Sequence, residues 1–258
     1  MIPYLAQPRV HVLGLTFYAF GFLAAVAFLT GWWMIVSRAQ RLGLDRAKAG
    51  RLTFHMLWWG YWGSHVLYLL LFQSAELVRQ PWRLLNPFGI YSFGGLACGL
   101  LAVVWFARRY QFTRRQLWRY LDVVGFAFPF SWTIARTGCA LAHDHIGVAS
   151  TSWIAVRFPA GPRLDLGLIE ALCCAGLAVC YLVLDRWPWP APFFFALTLL
   201  ANGLFRLWLN TLHTAPVPSD DLFGWASAIA GCAMLLLTWR HRARATDSPK
   251  SPPGPFAG

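Results

Sequence analysis

Charge is scarce in this sequence. Lys, Arg, Asp and Glu together make 12% of the 258 residues, against 58% hydrophobic. A soluble domain carries about twice that charged fraction. Acidic residues are the scarcer sign, 10 against 22 basic. The basic residues cluster in short segments between apolar runs instead of spreading over one face, which argues against nucleic acid as a partner. The six cysteines, Cys98, Cys139, Cys173, Cys174, Cys180 and Cys232, fall mostly inside apolar runs, so no disulfide framework is expected. The first apolar run has no basic segment before it and is too long for a signal-peptide core, so it is expected to be retained. No internal repeat and no pair of broken helices is visible, which disfavours a transporter.

What is present is a series of apolar runs of spanning length, with mean hydropathy +0.49. They predict an all-α polytopic membrane helix bundle of seven transmembrane helices, at about 12–36, 53–72, 88–107, 120–142, 166–184, 190–211 and 222–239. The expected organisation is a single transmembrane domain over 1–240 and a disordered cytoplasmic tail over 241–258, rich in Pro, Ser and Gly. Three segments are basic: Arg38, Arg41, Arg46, Lys48 and Arg51; Arg108, Arg109, Arg114, Arg115 and Arg119; and Arg240, Arg242, Arg244 and Lys250. The positive-inside rule puts all three in the cytoplasm, which sets the N-terminus outside and the C-terminus inside.

With that orientation, polar residues of several spans fall in the outer leaflet: His65 and Tyr68, then Ser92, Gly94 and Gly95, then Arg136, Glu170 and Arg206. Arg136, Cys139, Ala140 and His143 are spaced to share one helix face, and Asn202, Arg206, Asn210 and His213 form a second stripe. An arginine facing hydrocarbon costs at least about 2.5 kcal/mol, so both stripes are expected to face the bundle interior or a wet cavity. Snorkelling to the headgroups is the bland alternative for either arginine alone. Two arginines with Glu170 as the one obvious intramembrane anion call for another anion, and the fork of guanidinium donors matches a phosphate. The reading is a pocket for an anionic phospholipid headgroup, built from Arg136, Arg206, Glu170, Gly94, Gly95, His65, Tyr68 and Asn210.

These stretches resemble the prolipoprotein diacylglyceryl transferase family. The resemblance is carried by "HVLGLTFYAFGF", "GSHVLYLLLF", "YSFGGLACGLLAVVWFARR", "DVVGFAFPFSWTIARTGCALAHDHIG", "RLDLGLIEAL" and "GLFRLW". It implies a seven-span, N-out enzyme of the bacterial inner membrane that moves diacylglycerol from phosphatidylglycerol to a lipoprotein cysteine. It also implies that Arg136 and Arg206 surround the phosphatidylglycerol headgroup, that Glu170 ends a reduced form of an "HPSQLYE"-type motif, that Gly94, Gly95 and Leu96 close an "HGGL" motif, and that Gly147 ends the signature. Several positions depart from the family pattern. Phe93 replaces the "HGGL" histidine, Cys139 an asparagine, Asn210 an acid, His65 an arginine and Leu13 a tyrosine; Asp144 matches the signature's acid. The phosphate half of the site is kept and the half that activates the acceptor is rewritten, so the acceptor is a thiol or another nucleophile. No cofactor is expected, and a monomer is.

Three readings remain for the "HDH" stretch. His143 or His145, oriented by Asp144, replaces the lost base, with His143 favoured because it shares the face of Arg136. Alternatively Cys139, His143 and either Asp144 or His145 bind a metal, with His213 or His65 as a fourth ligand. In the third reading the residues only cap the fourth span. The competing function is a non-catalytic phospholipid-binding protein that kept the fold and lost the acceptor-activating residues.

Overall fold

A computed structural model describes residues 1–12, 15–86, 89, 91–215 and 218–247. The chain divides into two compact units, one formed by Met1–Gly31 with Leu121–Gly258 and the other by Trp32–Tyr120. Among the described residues seven long helices dominate: α1 (Ala19–Arg41), α2 (Arg46–Phe72), α4 (Ser92–Arg109), α5 (Arg114–Ala142), α6 (Leu166–Leu184), α7 (Phe193–Thr211) and α8 (Pro218–Asp247); α3 (Ser74–Arg79) is a short helix of six residues. Four of them, at Ala19–Arg41, Leu166–Leu184, Phe193–Thr211 and Pro218–Arg240, are long and apolar enough to cross a membrane. Their exposed surfaces are greasy: Phe22, Leu29 and Trp33 on α1 and Leu222 and Ile229 on α8 are largely exposed. In water such contiguous apolar surface would drive association, whereas lipid tails solvate it.

The expectation of an all-α bundle holds for the helices and not for the connections. Strands β1 (Ile2–Pro3), β4 (Ile146–Ala149), β5 (Val156–Phe158) and β6 (Gly161–Asp165) form one sheet in the order β1-β5-β6-β4. Residues Val156 and Phe158 point inward and Arg157 outward, the period-two pattern of a strand with one covered face. Gly161, at φ +112°, makes the turn from β5 to β6. Ala155, Leu164, Leu166, Ile169 and Leu209 close a small core beneath this sheet. A second correction lies at the N-terminus. Strands β2 (Arg9–Val12) and β3 (Leu15–Tyr18) pair as an antiparallel hairpin, so α1 starts at Ala19, later than the predicted first span. At the other end α8 runs on to Asp247, into the segment expected to be disordered; residues 248–258 lie outside the described residues.

In the first unit, small residues let helices approach closely, as membrane helices must when burial of apolar surface cannot drive their association. A Cβ on Gly203 of α7 would lie 2.5 Å from the Ala228 amide nitrogen of α8. Side-chain hydrogen bonds add to this packing. Thr198 of α7 donates to the Gly125 carbonyl of α5 at 2.8 Å and sits 2.8 Å from the Tyr181 hydroxyl of α6. Asp122 of α5 accepts from the Phe195 amide at 3.2 Å.

In the second unit, α2 packs on α4 through Gly60, Gly63, Gly94 and Gly95. A Cβ on Gly94 would meet the Gly63 carbonyl oxygen at 2.8 Å. Gly94 and Gly95 therefore serve helix packing in this structure.

Candidate functional site

The centre of the site is an ion pair between α5 and α6. Arg136 Nε lies 2.8 Å from Glu170 Oε2, with the two side chains only 12% and 14% exposed. Trp132, one turn earlier on α5, donates its indole N–H to Glu170 Oε1 at 2.8 Å and places its ring 4.9 Å beneath the Arg136 guanidinium. Arg136 Nη1 also donates to Cys139 Sγ at 3.5 Å. The guanidinium is held by charge on one edge, by a cation–π contact on its face and by sulfur on the other side. Trp132 was not read as a site residue from the sequence, although its i, i+4 spacing to Arg136 puts it on the same face.

The second arginine is held more loosely. Arg206 Nη1 of α7 stands 3.5 Å from Asp220 Oδ2 in the first turn of α8, with side chains 28% and 22% exposed. One turn further along α7, Asn210 donates to Asp221 Oδ1 at 2.8 Å. Asp220 and Asp221 also favour the N-terminal end of the α8 dipole. Both arginines thus have carboxylate partners within the protein, and the positive charge that the sequence left unmatched is largely matched.

The "HDH" stretch separates into two parts. Helix α5 ends at Ala142, and His143 takes a left-handed backbone, φ +53°. It therefore leaves the Arg136 face. Its Nδ1 pairs with Asp165 Oδ2 at 2.6 Å and its Nε2 meets the Leu5 carbonyl oxygen at 2.9 Å. Its ring stacks on Tyr4 at 4.8 Å and meets Phe158 edge-on at 5.1 Å. Asp165 in turn caps α6 by accepting from the Leu168 amide at 3.1 Å. Both ring nitrogens of His143 are engaged, so the ring ties the N-terminal segment and the sheet to the start of α6. An Asp immediately before an apolar run is an N-cap signal in the sequence; its pairing with His143 is not.

His145 and Asp144 remain accessible. His145 Nε2 is 3.8 Å from Asp144 Oδ1, with side chains 44% and 40% exposed. The ligand-capable atoms of Cys139, Asp144 and His145 all lie within 4.8 Å of one another. The His145 ring is 6.4 Å from that of His213, which follows α7 and pairs through its backbone with Gly147. Burial pushes the His213 imidazole below its usual value, with His145 and Arg206 adding to the fall and Asp220 and Glu170 opposing it. His213 therefore senses the Arg206–Asp220 pair and the Glu170 carboxylate.

The remaining predicted residues belong to the second unit. His65 is buried, with Nδ1 2.9 Å from the Gly89 carbonyl oxygen and Nε2 3.3 Å from that of Arg83. Tyr68 packs on Gly89 and accepts from Gln73 at 3.2 Å. Gln73, in turn, accepts from Arg83 at 2.9 Å. A shallow cavity of about 360 Å³ is lined by Tyr68, Gln73, Gln80, Trp82, Arg83 and Gly89 among others. Leu13 and the side chain of Phe93 lie outside the described residues.

The family model for prolipoprotein diacylglyceryl transferase matches residues 8–239, which reaches into both units and includes Arg136, Glu170, Arg206, Cys139, Asp144 and His145. The chain belongs to the prolipoprotein diacylglyceryl transferase family. It is similar to the phosphatidylglycerol–prolipoprotein diacylglyceryl transferase of Deinococcus radiodurans, 28% identical over 152 residues, covering 56% of this chain and 44% of that protein. The enzyme of the same name from Chromohalobacter salexigens is 30% identical over 147 residues, 56% of this chain and 54% of that protein. A second form from Clostridium perfringens is 22% identical over 203 residues, 77% of this chain and 70% of that protein. In its first two comparisons the chain spans about half the length of the curated relatives it matches. Arg136 of this family member comes from one of the stretches that carried the resemblance, and its immediate partners are Glu170 and Trp132.

Proposed function

We propose that the chain is a phospholipid-dependent transferase that moves diacylglycerol from phosphatidylglycerol to a thiol, or to another nucleophile, at the outer leaflet of a bacterial inner membrane. The proposed topology is seven spans, N-out and C-in, in a monomer. Family membership and the names of the relatives support the reaction class. The observation that carries the reading is the contrast between the two arginines. Arg136 is locked by Glu170 and Trp132, whereas Arg206 is 3.5 Å from its carboxylate and more than a quarter exposed. A loosely held guanidinium can exchange a carboxylate for a phosphate.

In this reaction the acceptor S–H loses its proton, and the sulfur attacks the glycerol carbon that carries the phosphate. The S–C bond forms as the C–O bond breaks, and the electron pair leaves with glycerol phosphate. Arg206 balances the charge gathering on that leaving group, an effect strongest in a site from which water is largely excluded. The acceptor side falls to the accessible Asp144–His145 pair, since the ring nitrogens of His143 are taken up by Asp165 and Leu5. A second reading, phospholipid binding without chemistry, is favoured by the carboxylate partner of each arginine, which gives both a role in the fold.

The test is purified protein with labelled phosphatidylglycerol and a peptide bearing a lipoprotein-type cysteine. The transferase reading expects label on the peptide, lost in Arg206→Gln and His145→Ala. Retained lipid binding with no label transferred, at any acceptor tried, would establish the binding protein instead. A C-terminal reporter active only outside the cytoplasm would overturn the topology.

A further inference from the structure

We propose that the loop leaving α5 is a divalent-cation site, with Cys139, Asp144 and His145 as three ligands and the remaining position open to the acceptor thiol. The proposal rests on the transferase reading only for that last clause. The geometry begins with His143. Its left-handed backbone reverses the chain at the end of α5, and its ring is pinned by Asp165 and Leu5. The reversal brings Asp144 and His145 back over Cys139, the last turn of the helix, instead of letting them run outward. The His145 carbonyl is fixed by the Leu166 amide at 2.9 Å, so the position of the returning strand is set by the fold.

The donor set is chemically apt. One sulfur, one carboxylate oxygen and one imidazole nitrogen lie within 4.8 Å of one another. Ligand atoms on a single tetrahedral zinc lie roughly 3.3–3.8 Å apart, given bond lengths of about 2.0–2.3 Å. Closing the difference takes a rotamer adjustment of Asp144 and His145, both exposed enough to move. A thiolate and a carboxylate neutralise a divalent ion, and the C-terminal end of α5 adds a partial negative charge. The nearest positive group, Arg136, has its charge answered by Glu170. Its Nη1 hydrogen bond to Cys139 Sγ, at 3.5 Å, is the kind of outer contact that orients a metal-bound sulfur. Three protein ligands leave the fourth position of a tetrahedral ion unfilled by the cluster, the pattern of a reactive site rather than a closed structural one.

In that position a cation takes the acceptor sulfur as a thiolate. Coordination releases the thiol proton to solvent, and the bound sulfur attacks the glycerol carbon as glycerol phosphate departs. Asp144 and His145 then act as ligands rather than as a base.

The experiment uses the full chain in neutral detergent, stripped with a chelator and titrated with cobalt(II). The expected result is one equivalent of bound cobalt with a thiolate-to-cobalt charge-transfer absorption in the near ultraviolet. Cys139→Ser should remove that absorption, and Asp144→Asn and His145→Ala should weaken binding by at least about tenfold. Cys232→Ser, an exposed thiol on α8, should change neither. Because the unaltered protein supplies the first spectrum, a misfolded variant cannot hide the answer. Absence of stoichiometric cobalt, or an absorption that survives in folded Cys139→Ser, overturns the site. Cobalt bound without any transfer activity would sink the transferase reading and leave the site standing. Transfer by chelated protein, unchanged when zinc is added, would overturn the cation's part in transfer.

Discussion

Replacing Glu170 with Gln removes the carboxylate 2.8 Å from Arg136 and keeps an oxygen for the Trp132 indole. Shape is nearly conserved, so the change isolates charge. Both side chains are close to nine-tenths buried, and water cannot take over the vacated role. Removing one member of a buried pair costs about 3–5 kcal/mol. An arginine near a membrane face recovers part of that by reaching toward headgroups. The expected loss is therefore about 3 kcal/mol, at the lower end of that range. For a chain of this size it corresponds to a fall in melting midpoint of roughly 6–12 °C. The measurement is thermal unfolding in neutral detergent, followed by tryptophan fluorescence. The double variant Arg136→Gln/Glu170→Gln should regain most of the loss, because two neutral amides can satisfy one another. Added phosphatidylglycerol should raise the midpoint of Glu170→Gln more than that of the native chain, since the freed guanidinium can take the phosphate. A Glu170→Gln midpoint within about 2 °C of native, at most about 1 kcal/mol by the same conversion, would refute Glu170 as the counter-ion. Strict additivity in the double variant would refute it independently.

His143→Ala should destabilise the protein by about 2–3 kcal/mol in chemical or thermal unfolding, by leaving the buried Asp165 carboxylate short of a partner. His143→Gly should recover about 1 kcal/mol of that, because the backbone there is left-handed. Gly203→Val should reduce the yield of folded protein, or lower stability by about 1–3 kcal/mol, as α7 and α8 are forced apart where a Cβ meets the Ala228 amide at 2.5 Å. His213 carries a pH signature. Its folded-state value is depressed by burial, so it contributes no penalty above the unfolded value near about 6.5. As pH falls through that value the unfolded chain takes up the proton first, and stability drops until the folded value is passed. His213→Gln should flatten this part of the stability profile; an unchanged slope would remove His213 as its source.

The apolar runs determined the helices, because length and continuous hydropathy are local properties of a chain in lipid. The fifth run, 166–184, is the same segment as α6, Leu166–Leu184. The family was legible too, in motifs spread along the chain, and the family match covers residues 8–239. Helical spacing also foretold that Arg136 and Cys139 share a face, and their side chains are 3.5 Å apart. The sequence alone could not set the partners of the charged groups. Arg136 and Glu170 lie on different helices, as do Arg206 and Asp220, and only packing decides which carboxylate meets which guanidinium. The four-stranded sheet was missed because its strands are two to five residues long, too short for a periodic signal to outweigh a loop reading. The role of His143 turned on a single dihedral. Extending α5 by one residue would aim the ring along the Arg136 face; the reversal at φ +53° gives it to Asp165 and folds Asp144 and His145 back over Cys139. That choice depends on Asp165, Leu5 and Tyr4, residues distant in sequence that meet His143 only in the folded chain.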